Sequence, residues 1–243
     1  LAQKFNEMLD QMEELKQKEY QAKQLLNRAE YKALQAQVNP HFLYNTLDTM
    51  ASIAEIRNCP EVSHMSQSLA LIFRYSLNMK NPFSTVEHEI AHLKNYTYVM
   101  DMRMHDNIQY TFDVDETTLK SKLPRLSLQP IVENAINHGL RNKRGKKKIG
   151  IQIKRKQMDL VICIEDNGIG MDTSAINESL SKNELDFVEK GNSIGLHNIN
   201  ARLKMLYGNT YGMYLESTLG EGTKVFMILP DSGEDSSNEE KDI

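Results

Sequence analysis

The chain has 243 residues, 40% hydrophobic and 26% charged, with a formal net charge of -4. That is enough for one or two ordinary cores, and it argues against a globally basic nucleic-acid binder. No apolar run approaches the roughly 18 residues a membrane span needs, and the polar start Leu1-Ala2-Gln3-Lys4 is no signal peptide.

From Leu1 to about Arg57 there is one Pro and no Gly among good helix formers, so a long helix is predicted. Phe5, Met8, Met12, Leu15, Ala22, Leu26, Ala29, Ala33 and Ala36 recur at alternating spacings of three and four, with Glu19 as the polar breach, the pattern of a coiled-coil seam. Such a stripe needs covering, and self-association into a homodimer is the simplest source. Pro40 predicts a kink beside His41. Because the sequence begins inside this pattern, it is expected to be a piece of a longer protein with any membrane segment upstream.

Cys59-Pro60 marks a turn, and Val62, Met65, Leu69, Ile72, Phe73 and Leu77 predict a second helix over Glu61 to Met79, completing a hairpin. The two cysteines match no metal-ligand spacing and are expected to be reduced. A third helix is predicted from about Thr85 to Met104, with Glu87 and Glu89 in its first turn. Then come a strand at Ile108 to Val114, a helix at about Arg125 to Leu140, and strands at Ile149 to Lys156 and Leu160 to Glu165. A polar stretch from Asp172 to Lys190, a helix at Ile194 to Leu206 and a hairpin of Tyr211 to Ser217 with Thr223 to Leu229 follow. The fold class is α+β: a long-helix dimerisation hairpin, then one sheet covered by helices. The acidic, Ser-rich residues 231–243 are expected to be a disordered tail.

There is no Gly-x-x-x-x-Gly-Lys-Ser/Thr loop and no eukaryotic-type kinase motif set. Four blocks appear instead: Glu133-Asn134-Ala135-Ile136-Asn137-His138 on a helix, Asp166-Asn167-Gly168-Ile169-Gly170 after a strand, Gly191-Asn192-Ser193-Ile194-Gly195-Leu196 opening a helix, and Gly220-Glu221-Gly222-Thr223 before the last strand. The Asn134 amide suits a hydrated Mg²⁺, and Asp166 can accept from an adenine amino group. Gly168 and Gly170 would let backbone approach the purine plane, and the Gly191 to Gly195 loop aims free N–H groups at a triphosphate. Asn198 is a second-line candidate. His138 reads equally as a phosphate contact or a helix-end residue. Lys143 to Lys148 reads mainly as a solvated charge run. His88 and His92, at helical spacing, come without a metal motif.

In this order the blocks resemble the nucleotide boxes of the GHKL ATPase superfamily. The resemblance implies a Bergerat ATP-binding fold, with Asn134, Asn137, His138, Asp166, Gly168, Gly170, Gly191, Ser193, Gly195, Leu196, Asn198, Gly220, Gly222 and Thr223 at the site and residues 172–190 as a lid. ATP and Mg²⁺ are the cofactors it implies. Asn39-Pro40-His41-Phe42-Leu43-Tyr44-Asn45-Thr46-Leu47, Leu128-Gln129-Pro130-Ile131-Val132-Glu133-Asn134 and Ile194-Gly195-Leu196-x-Asn198-x-x-x-Arg202-Leu203 resemble LytS/YesM-type sensor histidine kinases. Phe5-Asn6-Glu7-Met8 is similar to the end of a HAMP linker. This implies that His41 accepts the γ-phosphoryl group and passes it to a receiver domain of a response regulator with AraC-type or LytTR-type output. Asn45, one turn on, is a candidate for orienting a water against a phosphoaspartate.

Two departures stand out. Phe42 holds the place where commoner histidine kinases carry an acid, so no adjacent base is named. Pro130 holds the place of the catalytic Glu of the GHL branch, and Glu133 lies about 100° away from Asn134 around a helix, which disfavours plain ATP hydrolysis. The organisation expected is residues 1–30 as a signalling helix, 31–104 for dimerisation and phosphotransfer, 105–230 as the catalytic domain, and 231–243 as the tail. The readings left open are a phosphatase or scaffold that has lost transfer, and a GHKL ATPase or serine kinase.

Overall fold

The computed structural model describes residues 40–77, 81–104, 107–182 and 194–231. The coiled-coil seam, the HAMP-like segment, Gly191, Asn192, Ser193 and residues 232–243 lie outside them. By compactness the chain divides into Leu1–Thr46 and Leu47–Ile243.

Helix α1 (Pro40–Ile56) starts on Pro40, whose fixed φ suits a first helical turn. It ends where Asn58 turns left-handed at φ 52, letting the Cys59 N–H reach back to the Ala54 carbonyl at 2.9 Å. Helix α2 (Pro60–Leu77) begins at once. Helix α3 (Val86–Met104) is capped by the Thr85 hydroxyl, which accepts the His88 N–H at 3.3 Å.

Two short strands were not expected. β1 (Phe83–Thr85) and β3 (Lys122–Pro124) pair antiparallel beneath the start of α3. Three residues carry no visible alternation, so only the pairing defines them.

The main sheet has the order β2-β4-β5-β7-β6, from β2 (Gln109–Val114), β4 (Lys148–Lys156), β5 (Asp159–Asp166), β7 (Gly222–Pro230) and β6 (Gly212–Thr218). Only the β2 and β4 pair is parallel. Alternation buries one face: Ile149, Ile151 and Ile153, then Leu160, Ile162 and Ile164, then Val225, Met227 and Leu229. Register places Ile151 beside Ile164 and Ile162 beside Met227, so the branched side chains form one layer.

Three helical segments supply further core side chains: α4 (Gln129–Asn134) with the π-helical turn Ala135–Gly139, α5 (Ser174–Lys182), and α6 (Ile194–Tyr207). The edge strand β6 is satisfied by side chains. The Asn177 amide exchanges two 2.8 Å bonds with the Leu215 backbone, and the Met213 N–H donates to Asn200 Oδ1 at 2.9 Å.

Three expectations need correction. The helix foreseen over Arg125 to Leu140 is α only from Gln129 to Asn134, because Leu126 is left-handed at φ 58 and Ala135 to Gly139 widens to a π turn. Within the segment read as a lid over 172–190, the expected polar stretch is the packed helix α5 from Ser174 to Lys182, whose Ser179 and Leu180 are 1% exposed, and 183–190 lie outside the described residues. Asp231, assigned to the tail, is part of the fold: its N–H bonds the Met158 carbonyl at 2.9 Å, and its buried carboxylate pairs with Arg155.

Candidate active site

Asp166 is the last residue of β5, opposite Thr223 at the start of β7. Its Oδ1 accepts the Gly168 N–H at 2.7 Å. Burial pushes its carboxyl above the ordinary carboxylate range, offset in part by backbone N–H groups of Gly168 and Thr223 and by the charge of Lys143. The carboxylate therefore sits partly desolvated, with an acceptor available to a buried donor.

Asp166 lines a cavity of about 440 Å³ together with Asn134, His138, Gly170, Leu196 and Thr223. The walls are apolar, with Ile131, Ala135, Ile164, Ile169 and Met171 among them. A cavity of this size, greasy with few convergent polar groups, suits a flat ligand carrying a hydrogen-bond donor edge. Asn134, half-buried at the end of α4, caps neither adjoining helical segment with its side chain. An amide oxygen of that kind suits a hard cation that keeps most of its waters.

Backbone contacts bring the blocks together. The Gly139 carbonyl accepts the Ile169 N–H at 3.0 Å, and the Ile169 carbonyl accepts the Gly220 N–H at 2.7 Å. Gly195 opens α6 against Pro130, where an added Cβ would lie 3.5 Å from the proline ring. The widened turn closes with the Leu140 N–H on the Ala135 carbonyl at 2.8 Å and sets His138 on the cavity wall.

The glycines have a packing role as well. A Cβ on Gly168 would lie 2.2 Å from the Gly139 carbonyl oxygen, and one on Gly170 would lie 2.0 Å from that of Thr218. Their missing side chains let protein backbone pack on protein backbone, and Gly170 also lines the cavity. The same backbone packing holds for Gly222, whose Cβ would meet the Asp166 carbonyl at 1.9 Å. Asn137, Gly220 and Asn198 do not line the cavity, and Asn198 is exposed on α6.

His41 is exposed in the first turn of α1, and its Nδ1 lies 3.1 Å from Asn45 Nδ2. Phe42 is 68% exposed beside it. His88 bonds Thr85 at 3.0 Å and His92 bonds Gln129 at 2.7 Å, so the two rings serve separate partners.

Sensor histidine kinase YesM of Bacillus subtilis is 33% identical over 226 residues, 93% of this chain and 37% of that protein. Sensor histidine kinase YpdA of Escherichia coli is 32% identical over 86% of this chain and 36% of its own length. Sensor protein LytS of Oceanobacillus iheyensis is 33% identical over 86% and 35%. Residues 29–108 match the model for Histidine kinase, and residues 122–233 match that for the Histidine kinase-, DNA gyrase B-, and HSP90-like ATPase. The chain belongs to the histidine kinase family. It spans a little over a third of the length of the curated relatives it matches.

The sequence motifs missed several residues that build the cavity and its surroundings. Gly139 is one: a Cβ there would lie 2.7 Å from Asp166 Oδ1, so only glycine lets the π turn close over that carboxylate. Asn167 pins the basic loop, accepting the Lys148 N–H and donating to the Lys146 carbonyl, each at 2.9 Å. Within that loop Lys143 is half-buried and acts on Asp166, while Arg144 and Lys146 are exposed. His197 ties α6 to α5 through Ser179 at 2.7 Å. Glu133 lies on the side of Tyr96, whose hydroxyl is pushed up to about 12 by burial and then by the Glu133 charge. That is away from the cavity lining.

Proposed function

We propose that this chain is the kinase portion of a two-component sensor that binds ATP in the Asp166 cavity and transfers the γ-phosphoryl group to His41. The reading rests on the partly desolvated Asp166 carboxylate in an apolar cavity that Asn134 also lines, in a chain whose family match covers His41.

Asp166 accepts the exocyclic amino hydrogen of adenine, and the apolar walls exclude water from the ring faces. Asn134 would hold Mg²⁺, which when bound would supply positive charge beside the nucleotide phosphates. The first turn of α6, whose Leu196 lines the cavity, would present backbone N–H groups to the phosphate chain. Asn45 addresses the transfer at the other end. Its amide presents either Nδ2–H or, turned over, Oδ1 to the Nδ1 atom of His41. With Oδ1 inward, Nδ1 carries the proton and Nε2 holds a free lone pair. Nε2 then forms the N–P bond as the bond from the γ-phosphorus to the bridging oxygen breaks, ADP leaves, and the Nδ1 proton is released. Phe42 supplies no acid, and Asn45 stands at the ring atom an acid would serve. The same amide suits a water attacking a phosphoaspartate, which makes Asn45 the candidate for phosphatase action.

The phosphoryl group passes on to an aspartate of a response-regulator receiver domain, with AraC-type or LytTR-type output following from the family resemblance. Met50, Ile53 and Ile56 on α1 and Val62 and Leu71 on α2 are each between 45% and 79% exposed. An apolar surface of that kind supports a homodimer through the helical hairpin. Domain bounds of 31–104 for dimerisation and phosphotransfer and 105–230 for catalysis are part of this reading. So is a cytoplasmic position beneath a membrane sensor.

Incubation with γ-labelled ATP and Mg²⁺ tests it. An acid-labile, base-stable label is expected, absent in His41→Gln and in Asn134→Ala. Label persisting in H41Q, or label stable to acid, overturns the assignment.

A further inference from the structure

Away from the cavity, Glu89 of α3 is 1% exposed and has no ion-pair partner among the described residues. Its carboxylate is held by four donors. Oε1 accepts the Tyr75 hydroxyl and the Leu126 N–H at 2.7 Å, and Oε2 accepts the Ser127 N–H at 3.1 Å and the Leu128 N–H at 3.3 Å. Three consecutive backbone N–H groups converging on one anion form a nest, and the left-handed Leu126 at φ 58 is what aims them together. Left-handed backbone is uncommon for a side chain of this size.

The nest is the start of α4. Leu128 is its N-cap and offers no side-chain cap of its own, so the cap comes from α3. Asn134 stands at the far end of the same helix. The Ser127 hydroxyl also accepts an Arg202 N–H at 2.9 Å, which draws in α6. On the other side, Tyr75 belongs to α2. Its ring stacks on His92 at 4.4 Å, and its carbonyl takes the Arg125 guanidinium at 2.8 and 3.1 Å. His92 in turn bonds Gln129, the first residue of α4, at 2.7 Å.

We infer that Glu89 is a positioning residue for the nucleotide reaction: it fixes the start of the helix that carries Asn134, and Tyr75 fixes Glu89 to the helical hairpin. The inference rests on the reading of Asn134 as the Mg²⁺ ligand. A turn of α4 about its capped end displaces the Asn134 amide, whereas Asp166, on β5, stays in place. Loss of Glu89 should therefore weaken the metal-dependent part of nucleotide binding more than the base-dependent part, in which only the wall residue Ile131 moves with α4.

The test is binding of a fluorescent ATP analogue to the full chain, with Mg²⁺ and with EDTA, for wild type, Glu89→Gln and Tyr75→Phe. In E89Q an amide N–H₂ faces backbone N–H donors, and the Mg²⁺-dependent affinity should fall about tenfold, as for other outer-shell residues of metal sites. Affinity in EDTA should fall by no more than about threefold, because Asp166 on β5 keeps the base contact although the Ile131 wall shifts with α4. Y75F keeps the ring stacking and removes one donor of four, so about a threefold loss is expected. Folding is checked by circular dichroism. Folded variants with unchanged Mg²⁺-dependent affinity, or with equal losses in both conditions, overturn the inference. If E89Q does not fold, Y75F decides it alone. A wild type that binds no nucleotide in either condition instead overturns the proposed site.

Discussion

Replacing Asp166 by Asn should weaken ATP binding and narrow the preference for ATP over GTP together. The carboxylate offers only acceptors, and a hydrogen bond to a charged group is worth about 1.5–3 kcal/mol. Taking about 2 kcal/mol gives roughly a thirtyfold rise in the ATP dissociation constant. The Asn amide adds a donor that a guanine carbonyl can use, so GTP should lose less. Displacement of a fluorescent nucleotide by ATP and by GTP measures both. The pH dependence adds a second readout. Burial raises the Asp166 carboxyl in the fold above the ordinary carboxylate range. ATP needs the anionic acceptor, so wild-type affinity should decline as pH falls through that raised value, beginning above the ordinary carboxylate range. Stability runs the other way. The folded state keeps this proton to higher pH than the unfolded chain, so the contribution of Asp166 is fully present below the ordinary carboxylate range and is lost as pH rises through the raised value. D166N should flatten both dependences relative to wild type. ATP affinity within twofold of wild type, with an unchanged ATP to GTP ratio, would refute Asp166 as the base-recognising group.

Other outcomes follow from the same geometry. Gly168→Ala places a Cβ 2.2 Å from the Gly139 carbonyl and should cost about 3 kcal/mol, whereas Gly220→Ala, at φ +85 in open space, should cost roughly 1–2 kcal/mol; thermal melts giving equal losses contradict this. Asn45→Ala should slow labelling of His41 about tenfold, the worth of one hydrogen bond of about 1.4 kcal/mol, with ATP affinity unchanged. Asn45→Asp, which keeps an acceptor at Nδ1, should recover most of that rate, and a parallel fall in ATP affinity would exclude the tautomer role. Ile53→Glu puts a charge on the exposed apolar surface of α1 and should shift sedimentation from dimer to monomer; a wild type that is monomeric at micromolar concentration removes the homodimer.

Much of the sheet was legible because its signal is local. The alternation of Ile149, Ile151 and Ile153, and of Leu160, Ile162 and Ile164, places β4 and β5 to within a residue or two, and the glycines of 220–222 mark the turn between β6 and β7. Helix α2 follows from apolar periodicity, and α3 from Thr85 with Glu87 and Glu89 in its first turn. Of the residues in the four blocks, Asn134, His138, Asp166, Gly170, Leu196 and Thr223 line one cavity.

Tertiary structure alone decided how those residues are held. Nothing in the sequence around Glu89 says that its carboxylate caps a helix starting forty residues later, because a buried side chain bonding distant backbone leaves no periodic trace. The Asn177 and Asn200 amides that close the edge of β6, and the Gly139 backbone over Asp166, are of the same kind. The motif glycines were recognised as necessary, yet whether each admits a ligand or another strand of backbone depends on what the fold brings within 3 Å of the missing Cβ. Sequence determined the chemistry of the site; long-range hydrogen bonds and backbone contacts determined its shape.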